Sequence, residues 1–249
     1  MMYFNLLGIK INSRSKHHAL EQIKKYIRQP EGFYQILSIN PENLVIAVSN
    51  ADFKRVIETS QIQIIDGAWT VLAGKLLGMK LERFTGVDLM EELIKIADDL
   101  RLRVLLIGGR PKLALRLAQC YSQTYPQAKF KGIQGIRNIK KPRKLEEDKI
   151  FSIVTDYKPH IVFVAFGSPE QELWLDRHKS QLLRTVSMGV GGAFDFAGGI
   201  IPRAPGFIRS IGMEWLFRLI VEPWRWRRQL RLIKFIYLVM RQKLIGKLL

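Results

Sequence analysis

Asp66 closes a short apolar run, residues 62–65, and is followed at once by Gly67. A carboxylate in such a place can take a proton from a hydroxyl held beside it. Other polar or small groups occupy equivalent positions. Ser38 and Asn40 close the run 33–39, Gly108 and Gly109 follow 104–107, Gly167 and Gln171 follow 160–166, and Gly191 follows 186–190. Taken alone, Asp66 reads as a helix cap; its shared position with the others at strand exits, where α/β folds bind ligands, moves it to a functional residue. After Pro202 the character changes, and Arg203, Arg209, Arg218, Arg225, Arg227 and Arg228 arrive among Trp215, Trp224 and Trp226. Guanidinium groups grip phosphate oxygens in pairs, and indole rings favour a membrane interface.

Several chemistries are disfavoured. His17, His18, His160 and His178 have no ligand spacing, and there is no HExxH, CxxC or GxSxG and no Asp-x-Asp pair to hold an ion on a nucleotide sugar. One carboxylate, backbone amides and many arginines remain. That set suits transfer away from a diphosphate leaving group, with arginine doing the neutralising. Neither a metal nor another cofactor is expected.

The elements that must position these residues follow from periodicity. Runs 4–11, 33–39, 62–65, 104–107, 128–133, 160–166 and 186–190 read as strands, with helical spacing at 15–28, 42–49, 52–57, 69–77, 88–99 and 111–121, and again after Lys140 and Pro169. Ser15 and Asp52 read as N-caps, Asp88 and Glu172 as first-turn charges, and Trp174 as core. Six-fold alternation of strand and helix predicts an α/β fold, a mainly parallel sheet covered by helices on both faces. Gly108 and Gly109 before a helix predict an anion site, although no GxGxxG is present. The single Cys120 cannot form an internal disulfide, and its helix face predicts core packing.

With 249 residues and 47% hydrophobic content, the chain can bury a full core. We read residues 1–201 as that core and 202–249 as a helical appendage. The formal charge is +18, and eleven Lys and Arg against Glu214 and Glu222 after residue 202 place about half of it in the appendage. That tail must face something anionic. In its last helix Trp226, Leu230, Ile233, Tyr237, Met240, Leu244 and Leu248 share one stripe, and Arg227, Arg231, Lys234 and Arg241 another. A basic amphipathic helix with aromatics at its start reads as an interfacial anchor. No run approaches the roughly 20 apolar residues of a spanning helix, and no signal peptide is apparent.

The segments GVGGAFDFAGG, PRAP and GMEWLFRLIVEPWRWRR, with SIN at 38, DG at 66, ERFTGVDL at 82 and GSPEQELW at 167, closely resemble the WecG/TagA/CpsF family of bacterial glycosyltransferases, glycosyltransferase family 26. The resemblance covers nearly the whole chain. It implies a Rossmann-like core with a C-terminal appendage that docks on the membrane and completes the site. The implied reaction is inverting and metal-independent: a sugar, typically of N-acetylmannosamine type, passes from a UDP-sugar to a polyprenyl-diphosphate-linked sugar in cell-surface polysaccharide or teichoic acid synthesis. The implied place is the inner face of the plasma membrane. By the same resemblance Asp66 is the general base, Ser38 and Asn40 lie beside the sugar, Gln171 belongs to the GxPxQE motif, and Arg218, Arg225 and Arg228 reach the diphosphate. Arg83 and Asp88 of the ERFTGVDL segment join the substrate-binding set with Gly108, Gly109 and Gly191. Ser38 keeps the hydroxyl of the more usual Thr, whereas Trp69 stands where DGxG members have glycine. A site closed under the appendage is expected to raise the Asp66 pKa.

Two other classes fit parts of the pattern. A nucleotide-dependent oxidoreductase fits the sheet but lacks the dinucleotide fingerprint. A nucleic-acid-binding protein fits the charge, but phosphate-backbone binding has no use for a continuous apolar stripe. The oligomeric state stays open.

Overall fold

In the computed structural model, which describes residues 3–12, 14–210, 212–223 and 226–245, six strands form one parallel sheet. They are β3 (Tyr34–Ile39), β4 (Ile62–Ile65), β5 (Arg103–Gly108), β6 (Lys129–Ile133), β7 (Ile161–Ala165) and β8 (Val186–Gly189), in the order β4-β3-β8-β7-β5-β6. The register sets Ile36 against Ile62, Tyr34 against Val186, and Val104 against Ile161. Burial follows from this order. Interior β7 is buried at every residue, while β6 at one edge alternates.

Because side chains alternate across a strand, each strand feeds both layers. Ile36, Ile64, Leu106, Phe163 and Met188 pack with α1 (Lys16–Arg28), α5 (Gly86–Asp99) and α6 (Leu113–Thr124). On the other face Leu37, Ile39 and Ile65 lie under α2 (Pro41–Ser49) and α3 (Ala51–Thr59). Leu105, Ile107, Val162 and Val164 lie there under α7 (Lys144–Tyr157) and α8 (Glu170–Arg177). The expected α/β sheet with helices on both faces is therefore present. Trp174 is core, as expected.

Three local expectations are corrected. Residues 4–11 are not one strand but an antiparallel hairpin, β1 (Phe4–Leu6) and β2 (Ile9–Ile11). Its turn needs two residues at positive φ, and Leu7 (58°) and Gly8 (77°) supply them. The apolar Leu7 hid that turn in the sequence. Asn50, not Asp52, caps α3, its Oδ1 accepting from the Phe53 amide at 2.9 Å. Cys120 lies on the exposed side of α6 and not in the core.

The last helix, α12 (Trp226–Ile245), has two apolar sides. Phe235 and Val239 are buried with α2, α3 and the hairpin, and Gln242 both accepts from the Leu7 amide (2.8 Å) and donates to the Asn5 carbonyl (2.9 Å). In the predicted stripe Trp226, Leu230, Ile233, Tyr237, Met240 and Leu244 are exposed, Ile233 at 65%, and Leu248 lies outside the described residues. No described helix is long and apolar enough to cross a membrane. Phe235→Ala should therefore cost about 3–5 kcal/mol in a urea unfolding titration, while Ile233→Ala should stay within about 0.5 kcal/mol. Equal losses at both would mean that α12 is not held by its Phe235 side.

Candidate active site

The chain leaves β3 into α2 on one face of the sheet, and leaves β8 into α9 (Ala193–Ala197), whose Phe194 packs on the opposite face. Adjacent strands that diverge in this way open a crevice at their carboxyl ends. The crevice here is a cleft of about 330 Å³. Gly189, Val190 and Gly192 form its floor, and Ser38 and Asn40 line one side. Asp66 precedes α4 (Ala68–Leu76) and Trp69 lies in its first turn, while Arg83 and Thr85 come from the approach to α5 and Gly86 and Val87 from its start. The remaining wall is C-terminal: Glu214, Trp215 and Arg218 of α11 (Glu214–Val221), with Gln229 and Leu232 of α12.

Asp66 does not cap the helix that follows it. Gly67 holds that N-cap position at φ 106°, and the Asp66 Oδ2 accepts instead from the amide of Gly86, the first residue of α5, at 3.0 Å. A methyl group at Gly86 would lie 2.9 Å from the Ser38 hydroxyl and 3.4 Å from Asp66 Oδ2, so glycine keeps the space between them clear. Desolvation pushes the Asp66 pKa up; the Gly86 bond and Arg83 oppose this, while Glu214 and Asp88 add to it, and the net direction is upward. Asp66 still shows a partly exposed face to the cleft. Beside it the Asn40 Oδ1 caps α2 by accepting from the Asn43 amide (2.9 Å), and Asn43 Nδ2 donates to the Ser38 carbonyl (2.8 Å).

Gln171 is placed as expected but employed differently. Its Oε1 accepts from the amides of Gly167 and Gly191, each at 3.1 Å, and its Nε2 donates to Ser168 Oγ (3.2 Å) and Glu172 Oε1 (2.7 Å). All four bonding positions of the amide are spent. Gln171 is thus a staple between two strand-exit loops, and the Gly191 amide it engages is not a donor for substrate. Glu172, which reads in sequence as an ordinary first-turn charge, is 1% exposed and lines the same wall. Desolvation raises its pKa against the bonds from Gln171 and Ser168, and its Oε2 has no hydrogen-bond partner among the described residues.

Across the cleft Arg218 bonds Glu222 through Nε (2.9 Å) and lies over the Phe196 ring, 4.6 Å from its centroid. Its Nη2 is buried without a hydrogen-bond partner among the described residues and so close to Gly192 that a Cβ there would sit 2.4 Å away. That nitrogen is an unspent cationic donor at the cleft floor. Arg83 is held by the Arg209 carbonyl (2.6 Å) and Glu214 (3.2 Å). Trp215 faces Trp69, ring centroids 6.3 Å apart, and its buried indole N–H has no described acceptor. Arg225 lies outside the described residues. Arg228 falls within α12, with its side chain outside the described part.

Besides Gly191, three of the residues expected to bind substrate do not line the cleft. Asp88 accepts from Thr85 (2.7 Å) and pairs with Arg203, so it braces the start of α5 against the C-terminal segment. Burial works against its ionisation, but the Thr85 and Arg203 bonds prevail and hold its pKa low. Gly108 and Gly109 lie outside the cleft, against Phe166 and Phe194, and the Gly109 amide is spent on the Ala165 carbonyl (2.9 Å). The Gly109 amide is thus not available to the anion expected there. Sequence reasoning passed over Gly86, Glu172, Glu214 and Trp215. Only Gly86, a glycine opening a helix directly after a capping Thr, carried a visible signal.

Among the described residues no group of three His, Cys, Asp or Glu is arranged to hold a metal ion. A desolvated carboxylate and a buried guanidinium nitrogen lining one cleft, at the carboxyl edge of a parallel sheet, fit an α/β group-transfer enzyme. The sequence model of the Glycosyl transferase WecG/TagA/CpsF family matches residues 4–248, and the chain belongs to that family and is a glycosyltransferase. It is 31% identical over 221 residues to the N-acetylglucosaminyldiphosphoundecaprenol N-acetyl-beta-D-mannosaminyltransferase of Bacillus subtilis (strain 168), covering 88% of this chain and 84% of that one. The enzyme of the same description from Bacillus spizizenii is 30% identical over 219 residues, covering 88% and 82%. That of Staphylococcus aureus (strain NCTC 8325 / PS 47) is 28% identical over 226, covering 90% and 85%.

The raised Asp66 pKa has a cost in stability. Below the ordinary carboxylate range the group is protonated whether folded or unfolded, and there is no penalty. As pH rises past the unfolded value toward the raised folded one, the unfolded state loses its proton first and the penalty grows. Asp66→Asn should therefore raise the Tm at neutral pH, and the gain should vanish as pH falls to about 4. A lower Tm for the Asn variant at neutral pH would contradict the buried-carboxylate account.

Proposed function

We propose that the protein transfers N-acetylmannosamine from its UDP-sugar to the N-acetylglucosamine of a polyprenyl-diphosphate-linked acceptor, with inversion and without a metal ion. The observation that carries this reading is that one cleft brings together Asp66, desolvated and bonded by one amide, and an Arg218 Nη2 that has no hydrogen-bond partner among the described residues. The names of the relatives described above support the transferred sugar and the lipid-diphosphate-linked acceptor.

In this reading Asp66 takes the proton of the acceptor hydroxyl as the oxygen attacks the anomeric carbon. The bond from that carbon to the diphosphate oxygen breaks on the opposite face, and its electron pair leaves with UDP. A pKa above the ordinary aspartate value makes the carboxylate a stronger base for a hydroxyl. Arg218 and the Trp215 N–H meet the charge developing on the diphosphate, where low solvent exposure strengthens each bond. Arg225 and Arg228 are assigned to the same charge from the sequence. Ser38 and Asn40, beside Asp66, contact the sugars.

We treat residues 1–201 as the catalytic core and 202–249 as the appendage that closes the cleft and docks on the inner face of the plasma membrane. The exposed stripe of α12 supports this, since it places Trp226, Ile233, Tyr237 and Leu244 outward on a helix rich in Lys and Arg.

Product analysis by mass spectrometry, with UDP-N-acetylmannosamine and a prenyl-diphosphate-linked N-acetylglucosamine, tests the reaction. Asp66→Asn should lose roughly 10² to 10⁴ in turnover, while UDP affinity by calorimetry stays near that of the parent. Near-normal turnover would remove Asp66 from the chemistry. Transfer should also continue in excess EDTA. Activity that stops with chelator and returns with manganese or magnesium would overturn the arginine-based account.

A further inference from the structure

A second hollow, of about 540 Å³, lies between α4 and α12 and shares Trp69 with the catalytic cleft. Its walls are apolar: Leu72 and Leu76 from α4, Phe235, Val239 and Met240 from α12. Among the described residues, the charged side chains lining it are Lys75 and Lys243. Leu72 is 54% exposed and Met240 46%, so the hollow presents apolar surface that an occupant would cover.

We propose that this groove receives the isoprene units of the acceptor next to its diphosphate, led out of the cleft past Trp69. The proposal rests on the lipid-linked acceptor proposed above. An acceptor of that kind is a sugar, then a diphosphate, then a long hydrocarbon. With its sugar at Asp66 its hydrocarbon must leave the cleft, and polar groups line much of the cleft: Asn40, Glu42, Arg83 and Glu214. Trp69 is where the lining passes from polar to apolar, because the same residue borders both hollows. At the far side Met240 belongs both to the groove and to the exposed stripe of α12, so the apolar path continues onto the face assigned to the membrane. The charge agrees: among the described residues two cations and no carboxylate border the groove, which suits an apolar chain with an anionic head. Phospholipid acyl chains and a second copy of this protein are the competing occupants.

The test uses the full-length protein in detergent micelles, where membrane docking is not needed for turnover. Leu72→Gln/Leu76→Gln changes only the α4 wall, away from Asp66 and from the exposed stripe of α12. Two acceptors are compared, N-acetylglucosamine diphosphate on undecaprenol and on a short alkyl chain. The parent protein should show a KM about tenfold or more lower for the long acceptor, a margin equal to burying roughly two methylene groups. The double variant should lose that margin and keep its kcat and KM on the short acceptor. An equal effect on both acceptors, or none on either, overturns the proposal. If the parent transfers to neither acceptor, the reaction assigned above fails instead, and the groove is judged by direct binding of geranyl, farnesyl and undecaprenyl diphosphate. Affinity should then rise with chain length in the parent and not in the variant; affinity independent of length, or rising alike in both, overturns it. Two controls decide the competitors. Loss of binding to phosphatidylglycerol vesicles by the double variant would make the groove a site for bulk lipid, and a shift from dimer to monomer in sedimentation would make it an interface between copies. Either result overturns the proposal.

Discussion

A carboxylate with little water and one amide bond is the constraint on which the site is built. Asp66 can stay where it is because the first amide of α5 donates to it, and that amide can come close because Gly86 has no side chain. The start of α5 must then be fixed. Thr85 caps it, and Asp88 ties it through Arg203 to the C-terminal segment. Arg203 and Arg83 in turn approach Glu214, which helps to raise the Asp66 pKa. The proton affinity of one side chain thus depends on contacts spread over some 150 residues of chain, from Asp66 to Glu214.

The sheet and its ligand edge were legible because a buried parallel strand leaves a strong mark, a continuous apolar run that stops at polar or small residues. That mark gave 33–39, 62–65, 104–107 and 160–166 nearly to the residue, and with them the cleft positions of Ser38, Asn40, Asp66 and Gln171. It failed where an apolar residue adopts a turn, as Leu7 does, since the signal for the hairpin lay in φ and not in composition.

Within the site, position was easier to read than employment. Gln171 was found by its motif, yet its amide is consumed by Gly167, Gly191, Ser168 and Glu172, and only three-dimensional partners could reveal that. Gly108 and Gly109 carried the look of an anion cradle, but a neighbouring strand takes the Gly109 amide. Asp88 carried an ambiguous signal in both roles, and the ion pair that decided it joins residues 115 apart in the chain.

The bonds from Gln242 to the hairpin carry a consequence for how the protein is made. Leu7 and Gln242 are 235 residues apart, and Leu6, Ile9 and Ile11 share their buried cluster with Phe235 and Val239. Synthesis proceeds from the amino end, so the hairpin is made before every strand of the sheet and waits with that side uncovered until α12 follows the last of them. Its final partner is the helix whose opposite side carries the exposed apolar stripe. Covering of the hairpin and presentation of the exposed apolar stripe are therefore one event, and a chain interrupted before α12 would have neither.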